Sequence, residues 1–274
     1  MGSVIQTLPK GEPVQGVTSL DNHLYVLRDS KSSEQIEVYD IDSYRLLHSL
    51  TVPGLGNVDD IVACKHSRCA YISDRSHSVV HAVALSDAAL THWLVNDTPY
   101  GLSLSHTHNV LVSCKAARKI KEFSTDGQLL HVLTLPQDIV SPWHAVQLSS
   151  GQFIVCHGNR NEPLHGVCLI GSDGSVVKSF GGEKGSDSQH LNTPPQMAVD
   201  RNEFVFVADL NNYRVLLLSP QLTYVRDVVS CEQLGGWMPI RVHLDSDRGR
   251  LYVASNEYKD GEYTAGRVVV VRVQ

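Results

Sequence analysis

No run in this chain is apolar for long enough to cross a membrane, and the amino terminus lacks the basic-then-apolar order of a signal segment. A cytoplasmic address without membrane attachment is therefore expected. Cysteine is too sparse and too scattered for a disulfide scaffold: the six thiols are Cys64, Cys69, Cys114, Cys156, Cys168 and Cys231. Cys64 and Cys69 flank a tight turn and stand where they can face each other, so their pairing is left open. A Walker-type phosphate loop, a dinucleotide glycine pattern, a spaced set of four zinc-binding cysteines and a nucleophile elbow are all missing. Nor is there an excess of positive charge. The net charge of −6 excludes a globally basic nucleic-acid binder, since phosphate contacts supply most of that affinity. The single glycosylation sequon, Asn96-Asp97-Thr98, is followed by Pro99 and makes a poor acceptor.

What the chain does have is a repeat. Its clearest copy runs Pro194-Pro195-Gln196-Met197-Ala198-Val199-Asp200, then Phe204-Val205-Phe206-Val207-Ala208-Asp209, then Asn212-Tyr213-Arg214-Val215-Leu216-Leu217-Leu218. This reads as strand, turn, strand, polar loop, strand. Residues opening the innermost strand of each copy are Val14, Val58, Pro99, Pro142, Pro194 and Pro239, spaced 41–52 residues apart. Four-stranded propeller blades have about this period, roughly 40–50 residues. The longest interval carries two polar, turn-rich inserts, 158–163 and 181–187, expected on the surface. Second strands centre on Leu24-Tyr25-Val26, Ala70-Tyr71-Ile72, Val110-Leu111-Val112, Phe153-Ile154-Val155, Val205-Phe206-Val207 and Leu251-Tyr252-Val253. Their unbroken apolarity predicts strands buried on both faces, as stacked blades require.

The fold expected is thus all-β: one six-bladed β-propeller over 1–274. Its blades fall near 14–57, 58–98, 99–141, 142–193, 194–238 and 239–274, the last closed by 4–8. Pairing the two ends in one blade removes an exposed sheet edge.

The fifth copy resembles the NHL family, whose repeat opens Pro-x-Gly-Ile-Ala-Val-Asp, ends a strand in Val-Ala-Asp and continues Asn-x-Arg-Ile-x-Val-Phe. The matching residues are Pro194 to Asp200, Val207-Ala208-Asp209 and Asn212-Tyr213-Arg214-Val215. Elsewhere the strand-end Asp survives as Asp74 but is replaced by Arg28, Cys114, His157 and Ser255. The whole chain is most similar to the C-terminal propellers of animal tripartite-motif (TRIM-NHL) proteins, which read RNA or protein. The resemblance implies either an excised module, with Met1-Gly2-Ser3 as a cloning remnant, or a stand-alone propeller.

A propeller's ligands bind at the mouth of its central channel. Two residues beyond the openers come Gly16, Asp60, Gly101, His144, Gln196 and Arg241, and the second strands exit at Arg28, Asp74, Cys114, His157, Asp209 and Ser255. This register expects Asp60 near Asp74, His144 near His157, and Gln196 near Asp209. Ligand contacts are expected from Tyr100, Lys115, Arg118, Trp143, His144, His157, Arg160, Tyr213 and Arg241, with Trp143 and Tyr100 as stacking surfaces. Lys115, Arg118, Lys119 and Lys121, with His144, His157 and Arg160, suggest a basic sector. Asp74 and Asp209 read as caps for backbone N–H groups in their own loops, and Arg214 as a loop brace.

The reading that follows is a non-catalytic recognition module, monomeric and free of cofactors, binding a protein or single-stranded RNA; the family resemblance implies that it serves as the substrate-reading end of a ubiquitin ligase. Protein is favoured over RNA, because Asp59, Asp60, Asp74 and Asp209 oppose a phosphate backbone. The alternative is a metal-dependent propeller hydrolase or lyase, whose metal-capable residues at the mouth are His144, His157, Asp60, Asp74 and Asp209. His23, His48, His66, His81, His92, His106, His108 and His131 fall in turns or outer strands and are expected on the surface.

Overall fold

Runs of Val, Ile, Leu and Tyr every dozen residues, broken by Asp, Asn, Gly and Ser, form 24 strands in a computed structural model that describes residues 1–29 and 35–273. Residues 30–34 and residue 274 lie outside the described residues. β1 (Ser3–Thr7) comes first and returns at the end. Blade 1 is β2 (Val14–Leu20), β3 (His23–Arg28), β4 (Gln35–Asp40) and β5 (Leu46–Thr51). Blade 2 is β6 (Val58–Cys64), β7 (Cys69–Asp74), β8 (Val79–Ala84) and β9 (Leu90–Leu94). Blade 3 is β10 (Pro99–Leu104), β11 (Val110–Cys114), β12 (Lys119–Phe123) and β13 (Leu129–Thr134). Blade 4 is β14 (Pro142–Gln147), β15 (Phe153–His157), β16 (Leu164–Ile170) and β17 (Val176–Glu183). Blade 5 is β18 (Met197–Val199), β19 (Val205–Asp209), β20 (Arg214–Leu218) and β21 (Tyr224–Val229). Blade 6 is β22 (Met238–Asp245), β23 (Arg250–Lys259), β24 (Glu262–Arg272) and then β1.

Each sheet is an antiparallel meander, and each innermost strand packs on the next around the ring until β22 meets β2. β1 closes the circle by pairing antiparallel to β24, Val4 opposite Val271 and Thr7 opposite Val269. The six-bladed propeller with its amino-terminal strand in the last blade is therefore the fold of this chain.

The continuous apolar strands have a simple cause. Because side chains alternate across a strand, successive residues enter two different blade interfaces. Ala70 and Ile72 pack toward blade 1, while Tyr71 between them packs toward blade 3. Val205 and Val207 face blade 4; Phe206 and Ala208 face blade 6. Six buried clusters result, one per interface, and burying each aliphatic side chain contributes about 1.5–3 kcal/mol. The outermost strands carry the exposed apolar residues, among them Leu46, Leu129, Leu130 and Val177.

Several sequence expectations need adjustment. Gly181, Gly182 and Glu183 are not loop but the end of β17, paired with Gly166, His165 and Leu164. Positive φ at Gly181 and Gly182 allows the strand to bend there, in a region closed to most other residues. Cys64 and Cys69 do stand opposite each other in register, yet both are free thiols, as are the other four cysteines. Among the described residues no helix is long and apolar enough to cross a membrane.

Candidate functional site

The innermost strands of blades 1, 2, 3, 4 and 6 each shift register one or two residues after their openers, between Val14 and Gly16, Val58 and Ile61, Pro99 and Leu102, Pro142 and His144, and Pro239 and Arg241. A bulge of this kind re-aims side chains. Here it turns Asp60, His144 and Arg241 inward, and Asp60 and Arg241 join side chains across the axis. The Asp60 carboxylate accepts hydrogen bonds from Leu102 N (2.9 Å), Ile61 N (2.9 Å) and Gln196 Nε2 (2.8 Å). Gln196 Oε1 in turn accepts from Val242 N at 2.8 Å. Arg241 donates Nη2 to Asp59 Oδ2 (2.9 Å) and lies 3.5 Å from Asp60 Oδ1. Blades 2, 3, 5 and 6 are thus tied through the middle by side chains.

Burial dominates the electrostatics of this plug. It pushes the Asp60 carboxyl up to about 7 against the pull of Arg241, and the fully enclosed His144 imidazole down to about 4. His144 Nε2 meets the Leu102 carbonyl at 3.0 Å, whereas its Nδ1 has no partner. Gly101 has no room for a side chain, because a Cβ there would press on the Trp143 carbonyl.

Above the plug opens a cavity of 540 Å³. Its walls include Asp59, Arg75, Trp143, Arg160, Arg241, Tyr258 and Tyr263. Trp143 is fixed by its indole N–H, which donates to the Gly158 carbonyl at 2.7 Å, and Tyr100 packs edge-on at 5.4 Å. Lys115 lies against this pair, its Nζ 3.4 Å from the Trp143 ring centroid and 5.3 Å from that of Tyr100. Burial pushes the Lys115 amine down to about 8, opposed by the carboxylates of Glu162 and Asp59. Arg75 lies over the Tyr100 ring at 5.3 Å and pairs with Asp59 at 3.4 Å. Arg160 covers the ring of Tyr258 at 5.4 Å, and Tyr258 meets Tyr263 edge-on at 5.4 Å.

Of the residues expected to touch a ligand, Trp143, Arg160 and Arg241 line this cavity, and Tyr100 and Lys115 pack against Trp143 without lining it. The others do not join them. His144 is sealed in the plug, and His157 is buried within blade 4 with its Nε2 3.6 Å from Cys168 Sγ. Tyr213 caps the short 3-10 turn Leu210–Asn212 in a left-handed conformation. Arg118 is exposed at the β11–β12 turn. Lys121 is buried in an ion pair with Asp97 at 2.6 Å, so the expected basic sector is not a continuous face. Of the expected pairings, His144 lies opposite Cys156, next to His157, and the Gln196 carbonyl accepts from Ala208 N, next to Asp209, whereas the Asp60 side chain bonds Gln196 across the axis. Arg28, Asp74, Cys114, His157, Asp209 and Ser255 are all buried, and Arg28 reaches the Gly266 carbonyl of blade 6 at 2.9 Å. The metal-capable set His144, His157, Asp60, Asp74 and Asp209 is accordingly dispersed. The one group of metal-capable side chains that converges among the described residues is Asp74, His77 and His81.

Tyr258 and Tyr263 were not anticipated. They rise on the long β23–β24 hairpin, whose Asp260-Gly261 turn is the one sequence signal that marks it. Gln15, Asp29 and Asn211, also at the cavity, carry no signal that separates them from ordinary loop residues.

No family model matches this sequence, and no curated protein matches it. Solved structures do. The PQQ-bound aldose sugar dehydrogenase of Streptomyces coelicolor superposes with a TM-score of 0.70 at 13% identity, covering 98% of each chain. A putative gluconolactonase gives 0.70 at 11% identity over 98% of this chain and 92% of its own. Virginiamycin B lyase from Staphylococcus aureus gives 0.65 at 10% identity over 96% and 98%. At such identities the likeness establishes the propeller fold. It also corrects the expectation of a non-catalytic recognition module, because these neighbours are a dehydrogenase, a lactonase and a lyase, and none is a tripartite-motif reader.

Proposed function

We propose that this propeller is an enzyme, a hydrolase or lyase acting on a small polar molecule at the channel mouth. The observation that carries the reading is the 540 Å³ cavity walled by Trp143, Arg75 and Arg160, with the Lys115 amine, brought down to about 8, against the Trp143 ring. A base works best when its pKa lies near the working pH, and burial is the usual means of bringing a lysine there. At pH 7.4 roughly a fifth of such an amine is neutral and able to take a proton. In this reading Arg75 and Arg160 hold a carbonyl or carboxylate oxygen of the substrate. Trp143, Tyr258 and Tyr263 cover its apolar part, and Lys115, packed on Trp143 outside the cavity wall, accepts the proton by way of a water molecule. The lactonase and lyase named among the structural neighbours belong to these two classes, hydrolase and lyase. A metal-dependent version is not extended to the mouth. The carboxylates there are engaged, Asp60 by Leu102, Ile61 and Gln196, and Asp59 by Arg241 and Arg75.

We also place the repeat in the NHL lineage, supported by the Asp209–Asn212–Arg214 constellation of blade 5, and the chain in a reducing compartment such as the cytoplasm, supported by six free thiols.

The test is turnover of a panel of sugar and aromatic lactones, esters and elimination substrates by wild type and by Lys115→Met. Wild-type rates should rise with pH toward about 8, and the variant should lose about 100- to 10,000-fold. Equal rates in both proteins across the panel would overturn the proposal.

A further inference from the structure

Blades 2 and 5 use the same device to hold the loop between their second and third strands, and the differences between the two point to a metal site. In blade 5 the buried Asp209 accepts from Asn192 N (2.7 Å), Asn212 Nδ2 (2.8 Å) and Arg214 Nε (2.9 Å). In blade 2 the equally buried Asp74 accepts from Gly56 N at 2.7 Å and from Ser76 N and His77 N. Strand register makes the positions equivalent: Asp209 pairs with Arg214 as Asp74 pairs with Val79, and Val207 with Leu216 as Ile72 with His81. His77 thus takes the place of Asn212, Val79 that of Arg214, and His81 that of Leu216. The permanent cation that neutralises the buried carboxylate of blade 5 is replaced by valine. Among the described residues no lysine or arginine pairs with Asp74. Two imidazoles converge on its Oδ2 instead, His77 Nδ1 at 2.7 Å and His81 Nε2 at 3.2 Å.

We propose that Asp74 Oδ2, His77 Nδ1 and His81 Nε2 are a binding site for a divalent transition metal, with zinc as the ion the donor set suits. All three ligand atoms lie within 4.8 Å of one another. Zinc bonds of about 2.0–2.1 Å in a tetrahedron set ligand atoms about 3.3 Å apart, so the pocket needs only a slight opening. Two nitrogens and one carboxylate oxygen leave a fourth position, and His77, with its side chain 56% exposed, gives water access to it. The ion supplies the positive charge that Arg214 supplies in blade 5. When it binds, the N–H protons now shared with Asp74 move to the far ring nitrogens or leave. On His81 that nitrogen, Nδ1, is buried without a partner, and a missing outer hydrogen bond of this kind weakens metal affinity about 10- to 100-fold. His81, expected on the surface from sequence, is 5% exposed. This inference is independent of the mouth.

The experiment is equilibrium dialysis of the chelator-treated full chain against zinc chloride, with zinc per chain measured after gel filtration. Wild type should retain one zinc in this site. The double variant His77→Asn, His81→Leu restores the blade 5 residues at those two positions but not the arginine, so it should fold with a lowered melting temperature while binding that zinc at least 10-fold more weakly. Should the double variant unfold, His77→Asn alone, at a half-exposed position, must show the same loss of zinc. A wild type that retains no zinc, or variants that retain as much as wild type, would overturn the site.

Discussion

Two loops with the same job, one in blade 2 and one in blade 5, solve the problem of a buried carboxylate differently. Asp209 is neutralised by Arg214, which also reaches the carbonyls of Asp187 and His190 and so ties the blade to the segment before it. Among the described residues Asp74 is met only by imidazoles and backbone N–H groups. The consequence shows in their protonation. Burial raises both carboxyls, but at Asp74 the bonds from His77, Gly56 N and His81 outweigh it and hold the group down at about 2. At Asp209 burial wins and the net shift is upward. A shared hydrogen-bond pattern therefore does not imply a shared electrostatic state.

The largest expected effect separates the two braces by what each leaves behind. Asp209→Ala strands Arg214, whose side chain is only 11% exposed, and removing one member of a buried pair costs about 3–5 kcal/mol. Asp74→Ala leaves no guanidinium unpaired and should cost about 1–3 kcal/mol. Denaturant unfolding at pH 7 with chelator present measures both, and equal losses would erase the distinction.

Next in size is the acid arm of the stability curve. A carboxyl lowered in the folded state stabilises above its unfolded value and loses that contribution as pH falls toward its folded value. For Asp74 the window runs from about 4 down to about 2 and is worth up to ~2 kcal/mol. The stability difference between wild type and Asp74→Asn should shrink across that window. Asp209, shifted upward, has the opposite sign: its contribution is present at low pH and fades as pH rises, so Asp209→Asn should show no such shrinkage. An Asp74→Asn difference that stays constant from pH 5 to pH 2 would break the contrast.

The smallest effect is where the two regions should agree. Arg68 pairs with Asp21 between blades 2 and 1, and Arg201 with Asp247 between blades 5 and 6, all four well exposed. Asp21→Ala and Asp247→Ala should each change stability by less than about 1 kcal/mol, and less still in high salt. A larger loss at either would show that these rim pairs clamp the ring.

Much of the architecture was readable from the chain because it rests on composition at fixed spacing. Tyr71 and Phe206 sit in strands whose neighbours on both sides are also apolar, as burial of both sheet faces between two blades requires. The site was readable only in part. Trp143, Arg160 and Arg241 follow from the loop register, but the bulges that turn Asp60 and His144 inward add no residue type of their own. Tyr258 and Tyr263 reach the cavity through the length of a hairpin, a property of pairing and not of either residue.

By itself, then, the order of residues determined six modules, a closing strand from the amino terminus and the ring's apolar interfaces. These depend on local alternation and on removing apolar surface from water, both written along the strand. Only the tertiary structure decided that Asp60 meets Gln196 across the axis, that Lys115 rests on Trp143, and that His77 and His81 converge on Asp74. Charged and polar side chains take their partners from other strands and blades, so their chemistry exists only once the strands are folded together.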